Sequence, residues 1–141
     1  MARIVLTNVD VTIGGVDLSN HIASITLSTT YDVLETTAFA GGNVPAAAKS
    51  RIAGLADNSV TLEFHQDFDA SSVEATIYPL LGTVTPINVK PQASAITSTN
   101  PEYQFQAVVS EWTPLNGAVG ELATASVTWP ITGAIVKDTT P

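Results

Sequence analysis

Three observations predict a mainly β structure with one helix. Apolar and polar residues alternate over several long stretches, which is the period of half-buried strands. Clusters of Gly, Pro, Asn and Asp separate these stretches. A single segment, 71–81, instead places Val73, Ile77, Leu80 and Leu81 at helical spacing. A helix with one apolar stripe needs a sheet to lie on, so it is expected across the open end or outer face of the β structure. The 141 residues read as a single domain, 1–141. A chain of that size buries roughly 68–70% of its unfolded surface and needs no staples.

Arg3 to Val16 reads as a first strand pair, with Ile4 and Leu6, then Val9, Val11 and Ile13, as the apolar set; Gly14-Gly15 is a two-residue hairpin signal. Asp17 to His21 is a short turn. The longest strand follows, Ile22 to about Val33. Ala23, Ile25, Leu27, Tyr31 and Val33 form one face; Ser24, Thr26, Ser28, Thr30 and Asp32 form the other. Residues 36–57 fit no clean period. They contain Gly41-Gly42, Pro45, an alanine run and the close basic pair Lys49 and Arg51. Long structureless loops are usually functional or disordered, and Phe39, Val44, Ile52 and Leu55 make this one too apolar for simple disorder. It reads either as an arm packing on another subunit or as a flap closing over its own core.

In 58–67, Val60, Leu62 and Phe64 alternate with Thr61, Glu63, His65 and Asp67. Ser71 and Glu74 have the spacing of a capping box. Pro79 should end or kink the helix, and Gly82 should stop it. Val84 to Val89 is a short strand that Pro86 marks as an edge. Tyr103 to Thr113 is another long strand, with Gln104, Gln106 and Ser110 on its polar side. Glu121 to Ile131 is the last, with Thr124, Ser126 and Thr128 facing out and Trp129 in the core. Trp112 falls in the polar phase of its strand, as an interface residue would. The tail from Gly133 should fray or pair weakly.

Composition narrows the function. Without cysteine there is no disulfide or thiolate chemistry. The N-terminus lacks the pattern of a signal peptide, and no apolar run approaches the ~20 residues of a membrane span. Five Lys+Arg stand against thirteen Asp+Glu, a net charge of −8, which argues against adhesive nucleic-acid binding because phosphate contacts need clustered Lys and Arg. Only 13% of residues are charged, against about 25% in ordinary soluble domains. A surface so poor in charge suits one largely covered by partners; a weakly charged monomer is the plainer alternative.

No enzyme signature is present: there is no G-x-S-x-G, no P-loop and no Cys–His pair. Glu63, His65 and Asp67 share a strand face, but same-face neighbours stand about 7 Å apart, too far for three to close on one ion. No catalytic residue, metal or cofactor is expected. The polar faces of the four long strands hold hydroxyls, amides and a few carboxylates and no Lys or Arg. Such a face suits a surface past which a polyanion moves without sticking; the simpler reading is that Thr and Ser are good solvent-side strand residues.

Three runs carry a family resemblance: VTIGGVDLSNHIASITLS, RIAGLADNSVTLEFHQDFDASSVEATIYPLLGT and NPEYQFQAVVSEWTPLNGAVGELATASVTWP. In residue runs and in element order the chain resembles the tail tube (major tail) proteins of long-tailed, siphovirus-type bacteriophages, notably those of actinobacteria. The resemblance covers most of the chain. It implies a β-sandwich or partial barrel flanked by one α-helix, a fold shared with the tubes of contractile tails and of type VI secretion. It implies six subunits per ring, each giving four strands to a continuous inner barrel, and rings stacked around a tape-measure protein. Double-stranded DNA later passes through without specific binding. The tube would end on tail terminator and tail-tip proteins, in a virion tail assembled in the host cytoplasm, with no membrane partner. On this reading the lumen-facing residues are Ser24, Thr26, Ser28, Thr30, Asp32, Thr61, Glu63, His65, Asp67, Gln104, Gln106, Ser110, Thr124, Ser126 and Thr128. The 36–57 segment matches the ring-stacking loop, with Phe39, Val44, Lys49, Arg51 and Ile52 as inter-ring contacts. Val73, Ile77 and Leu81 would pack the helix on the outer flank of the sheet near a subunit boundary. No added decoration domain is expected. A capsid decoration or head–tail joining protein is the alternative, since these are also small, β-rich and acidic.

Overall fold

A computed structural model describes residues 3–39 and 47–140. Seven strands form it: β1 (Asp10–Ile13), β2 (Val16–Asp17), β3 (Ile22–Glu35), β4 (Arg51–His65), β5 (Val84–Lys90), β6 (Glu102–Val108) and β7 (Thr124–Asp138). The helix α1 (Val73–Ile77) lies between β4 and β5. All strand pairs are antiparallel, in one sheet of order β2-β1-β5-β6-β7-β4-β3. The sheet curls. Leu6 and Val9 from the N-terminal segment, Ile25 and Leu27 from β3, and Val89, Tyr103 and Ile135 from β5, β6 and β7 line one open cavity of about 580 Å³. The result is the expected mainly β fold with one short helix, built as a single curled antiparallel sheet where a β-sandwich or partial barrel was expected.

Alternation builds the core. Val60, Leu62 and Phe64 of β4, Val127 and Trp129 of β7, Phe105 and Ala107 of β6, and Ile87 of β5 point inward and are buried. Trp129 is among the largest fully buried side chains, and its Nε1 donates to the Glu111 carbonyl at 2.9 Å. Gly14 and Gly15 form the β1–β2 turn with φ of 59° and 86°, the left-handed geometry that a two-residue hairpin needs. Residues 3–9 lie outside the strands, with Ile4, Val5 and Leu6 exposed, so the first strand pair is β1–β2 alone.

Several expectations are corrected, each for a local reason. The segment 36–57 is not one loop: β4 starts at Arg51 and pairs with β3 out to Glu35↔Arg51. The alternation is hidden by a bulge. Tyr31 faces Ala56 but Val33 faces Ala53, so two β4 residues oppose Asp32 and the phase flips there. Gly54 fits this site because an added Cβ would stand 3.1 Å from the Cβ of Asp32. β5 is no edge strand, since it pairs with both β1 and β6. Pro86 is tolerated because its carbonyl, accepting from Gly14 N–H at 2.9 Å, faces the β1–β2 turn, and its missing donor lies on that same side. The strand expected to reach Thr113 ends at Val108. The chain does not fray at Gly133: β7 runs on to Asp138 through an irregularity where Gly133 takes φ 82° and its carbonyl accepts from Asn58 Nδ2 at 3.0 Å.

The helix is shorter than 71–81. A 3₁₀ turn, Tyr78–Leu80, follows Ile77 at Pro79. Ser71 has φ 62° and Ser72 is the N-cap, with no side-chain cap bond, so the Ser71/Glu74 capping box does not form. Val73 and Ile77 join the same core as the inward strand residues. The helix therefore fills the concave side at one end of the curled sheet, not the outer flank. Leu81 is 43% exposed and does not share this packing; Leu80 packs against the core in its place.

Ile77→Asp is expected to prevent folding, because burying an unpaired carboxylate costs several kcal/mol. Leu81→Asp should change stability by no more than about 0.5 kcal/mol, as exposed substitutions do. Thermal unfolding followed by circular dichroism separates the two sites.

Candidate functional site

β6, β7, β4 and β3 are adjacent in the sheet, so their polar faces merge into one outward surface. The register aligns them in rows across strands. Ser24, Glu63 and Ser126 form one row; Thr26, Thr61 and Thr128 the next; Ser28 and Ser59 follow. Thr61 and Thr128 share a hydroxyl hydrogen bond at 3.1 Å. Thr30 lies opposite Asp57, and its hydroxyl donates to the Asp57 carbonyl at 3.3 Å. Asp32 is exposed beside the Gly54 bulge. His65 pairs with Thr124 at the rim nearest the helix. Gln106 lies beside Thr132, and Gln104 Nε2 donates to Glu102 at 2.8 Å and to Asp138 at 3.3 Å. No outward position in the described residues of these strands, from Ser24 to Asp32 and from Asp57 to His65, or on β6 and β7, is Lys or Arg. Lys137 is on the other face, where it lines the cavity with Tyr103.

Two residues assigned to this surface do not belong to its strands. Asp67 lies beyond the end of β4, in the turn that leads to the helix. Its carboxylate accepts from Asp69 N–H at 3.0 Å and from Ser72 Oγ at 2.8 Å, and stands 3.6 Å from His21 Nε2. These donors hold its carboxyl below the usual carboxylate range, the Asp69 backbone bond first and the Ser72 hydroxyl second. Ser110 is exposed but follows the end of β6. There the neighbouring Glu111 takes the place of a strand: its side chain accepts from Thr128 N–H at 2.7 Å.

The expected inter-ring residues sit on a projecting arm. β4 pairs with β7 only from Asn58 onward, so 30–35 and 51–57 extend beyond the body as a two-stranded ribbon of about 20 Å. Phe39 and Ile52 are exposed on it, and Lys49 Nζ lies 3.7 Å from Glu35 Oε1. Arg51 stands across from Glu35. Val44 lies outside the described residues.

The remaining polar clusters are architectural. Ser72 Oγ donates to Asp67, and His21 Nε2 is 3.3 Å from that same hydroxyl, so serine and histidine both converge on the carboxylate. Glu63 and His65 face outward while Asp67 is held in its turn, and among the described residues no three His, Asp or Glu side chains form a metal-binding group. Trp112 packs within its own chain: its ring meets Phe64 edge-on, with centroids 5.5 Å apart, and its Nε1 donates to Glu74 Oε2 at 2.7 Å. Sequence reasoning missed Asp57, Ser59, Thr132 and Asp138 on the polar surface. Asp57 and Ser59 extend the alternation of Thr61, Glu63 and His65, and Thr132 extends that of Thr124, Ser126 and Thr128; only Asp138 lies beyond the irregularity near Gly133.

Comparison with family profiles and with curated protein sequences finds no match. Among solved structures, the fold is similar to a chain in the six-fold symmetrised cryo-EM structure of the anti-feeding prophage (AFP) baseplate. The TM-score is 0.58 and the identity 10%, over 97% of each chain. At that identity the likeness is one of fold.

Asp67→Asn should be less stable than the native chain near neutral pH. The folded pKa of Asp67 is depressed, so its contribution is present above the unfolded value of about 3.9 and is lost as the pH falls through the lower folded value. The difference in urea midpoint between the two proteins is expected to narrow below about pH 4; a gap independent of pH would mean that the charge is not what stabilises the turn.

Proposed function

We propose that this chain is the tail tube subunit of a long-tailed, siphovirus-type bacteriophage, a structural virion protein with no enzymatic role. Six copies form a ring, and stacked rings form a tube with the merged polar surface of β3, β4, β7 and β6 lining its bore. The observation that carries this reading is that surface. It is continuous over four adjacent strands and offers Ser, Thr, Gln and carboxylates without a Lys or Arg on its outward positions. Such a wall repels a polyanion and gives it no bidentate grip.

Three further features support the reading. The chain shares its fold, end to end, with a chain of a six-fold symmetrised prophage baseplate. The outer edge of β3, fourteen residues long, is unpaired among the described strands, and monomeric proteins rarely leave so long an edge open. The arm is a free two-stranded ribbon, which is marginal in water until it packs on something. In this scheme the tape-measure protein occupies the bore during assembly and double-stranded DNA passes through it later. Terminator and tail-tip proteins close the tube, which is built in the host cytoplasm.

Negative-stain electron microscopy across a concentration series is expected to show six-fold rings and hollow tubes; trimers, or rings of another order that never stack, would favour a head-associated role instead. The orientation of the surface can be read with Ser126→Cys, because the native chain has no cysteine. A bulky polyethylene-glycol maleimide should modify it in the free subunit and be excluded from assembled tubes. Equal reactivity in both would put the polar surface on the outside.

A further inference from the structure

The 109–123 loop, between β6 and β7, lies at the end of the sheet marked by α1 and is held at several points. Gln66 Nε2 donates to the Pro114 carbonyl at 2.8 Å, and Gln66 N–H donates to the Ala123 carbonyl at 3.0 Å. Thr124 N–H donates to the Asn116 carbonyl at 3.2 Å, and Glu121 N–H to the Ala118 carbonyl at 3.0 Å. Within this frame sits Asn116-Gly117, the one place in the sequence where glycine follows asparagine. Both residues are exposed. Neither the Asn116 side-chain amide nor the Gly117 N–H has a hydrogen-bond partner among the described residues.

The other asparagines are placed differently. Asn58 is buried, and its Nδ2 donates to the Gly133 carbonyl at 3.0 Å. Asn100 is buried with its Nδ2 among the carbonyls of Gln92, Ser94 and Ala95, and Pro101 after it has no N–H. Asn88 lies inside β5. Asn20 precedes His21, whose N–H is taken by the Leu18 carbonyl at 3.0 Å, and Asn8 precedes the β-branched Val9. Asn43 lies outside the described residues.

We propose that Asn116-Gly117 is a site of spontaneous backbone modification in the folded chain. Gly117 N gives up its proton to hydroxide and attacks Asn116 Cγ. The new N–C bond closes a cyclic succinimide, and the side-chain nitrogen takes a proton from water and leaves as ammonia. Water then opens the ring at either carbonyl, giving aspartate or isoaspartate. The net exchange is amide and water for carboxylate and ammonium, with no other reactant. Glycine is the residue that admits this, because the Asn116 side chain must close on the next amide and a Cβ there would obstruct it.

The product alters a defined surface. Leu115 and Val119 flank the site at 80% and 105% exposure, and each conversion adds one negative charge there to a chain of net −8. In the isoaspartate the α-carbonyl that accepts from Thr124 N–H becomes the carboxylate. The new charge then sits on the acceptor of an existing bond, and charge strengthens such a bond. The tie to β7 is retained while the apolar tip of the loop acquires charge, so old copies present a different surface from new ones. This inference is independent of the tube reading.

Incubation of the native chain at neutral and mildly alkaline pH, followed by anion-exchange chromatography and peptide mass mapping, is expected to give a more acidic species. Its altered peptide should span Asn116 and carry the mass change of amide-to-acid conversion, with a rate that rises in proportion to hydroxide. Gly117→Ala is the control. An added Cβ there would meet its nearest atoms at 3.7 and 3.8 Å, an ordinary contact, so the variant should fold like the native chain and convert severalfold more slowly. The synthetic peptide TPLNGAVG sets the unrestrained rate. A folded chain that keeps Asn116 intact while the peptide is consumed overturns the proposal, as does a Gly117→Ala chain that converts at the native rate. Faster conversion at any other asparagine does the same.

Discussion

Val60, Leu62 and Phe64 meet Trp129, Val127 and Ala125 across the β4–β7 pair, and both outward rows of hydroxyls hang on that register. Phe64 and Trp129 lie with ring centroids 6.4 Å apart in the centre of the core. A slip of one residue would turn Trp129 out to water and bring Thr128 in, and every polar side chain of the strand would change face with it. The volume of two buried aromatics thus fixes the position of groups on the opposite side of the sheet that they never touch. β3 inherits its register from β4, and β6 from β7, so the whole four-strand surface follows from one well-packed pair.

The polar residues at the helix end serve the fold. A helix of five residues has little stability of its own. It is held by two buried apolar side chains and by bonds from its flanks: Ser72 to Asp67 on one side, and Trp112 to Glu74 on the other. The same bonds tie down the 109–123 loop through Gln66 and Trp112, so that its apolar residues project instead of collapsing onto the core. Serine, histidine and aspartate gather here, but their hydrogen bonds run toward the carboxylate. That arrangement stabilises a turn.

The arm shows the opposite economy. It buries almost nothing within its own chain, with all of 30–35 and most of 51–57 exposed. Its strands nevertheless keep their ladder beyond the body because β3 and β4 are continuous with strands that are packed. A structure of this kind gains stability where another surface covers it. The low overall charge of the chain agrees with that, since few charged groups have to be desolvated on contact.

Alternation by itself determined the mainly β class, the inward residues of β4 and β7, and the membership of most of the outward polar surface, while the helical spacing of Val73 and Ile77 marked the helix. These follow from the backbone, because a pleated strand sends successive side chains to opposite faces. Only the tertiary structure decided where that alternation changes phase. The bulge at Gly54 hid seven residues of β4 inside an apparent loop, and the irregularity at Gly133 hid the second half of β7 inside an apparent tail. It also decided which turn residues did which job: Asp67 and Trp112 looked like face residues by parity but are held by Ser72 and Glu74, their partners at the helix end. The reason is the same in each case. Periodicity is a property of one strand, whereas bulges, strand ends and caps are set by the neighbour that supplies or withholds a hydrogen bond, and that neighbour is distant in the sequence.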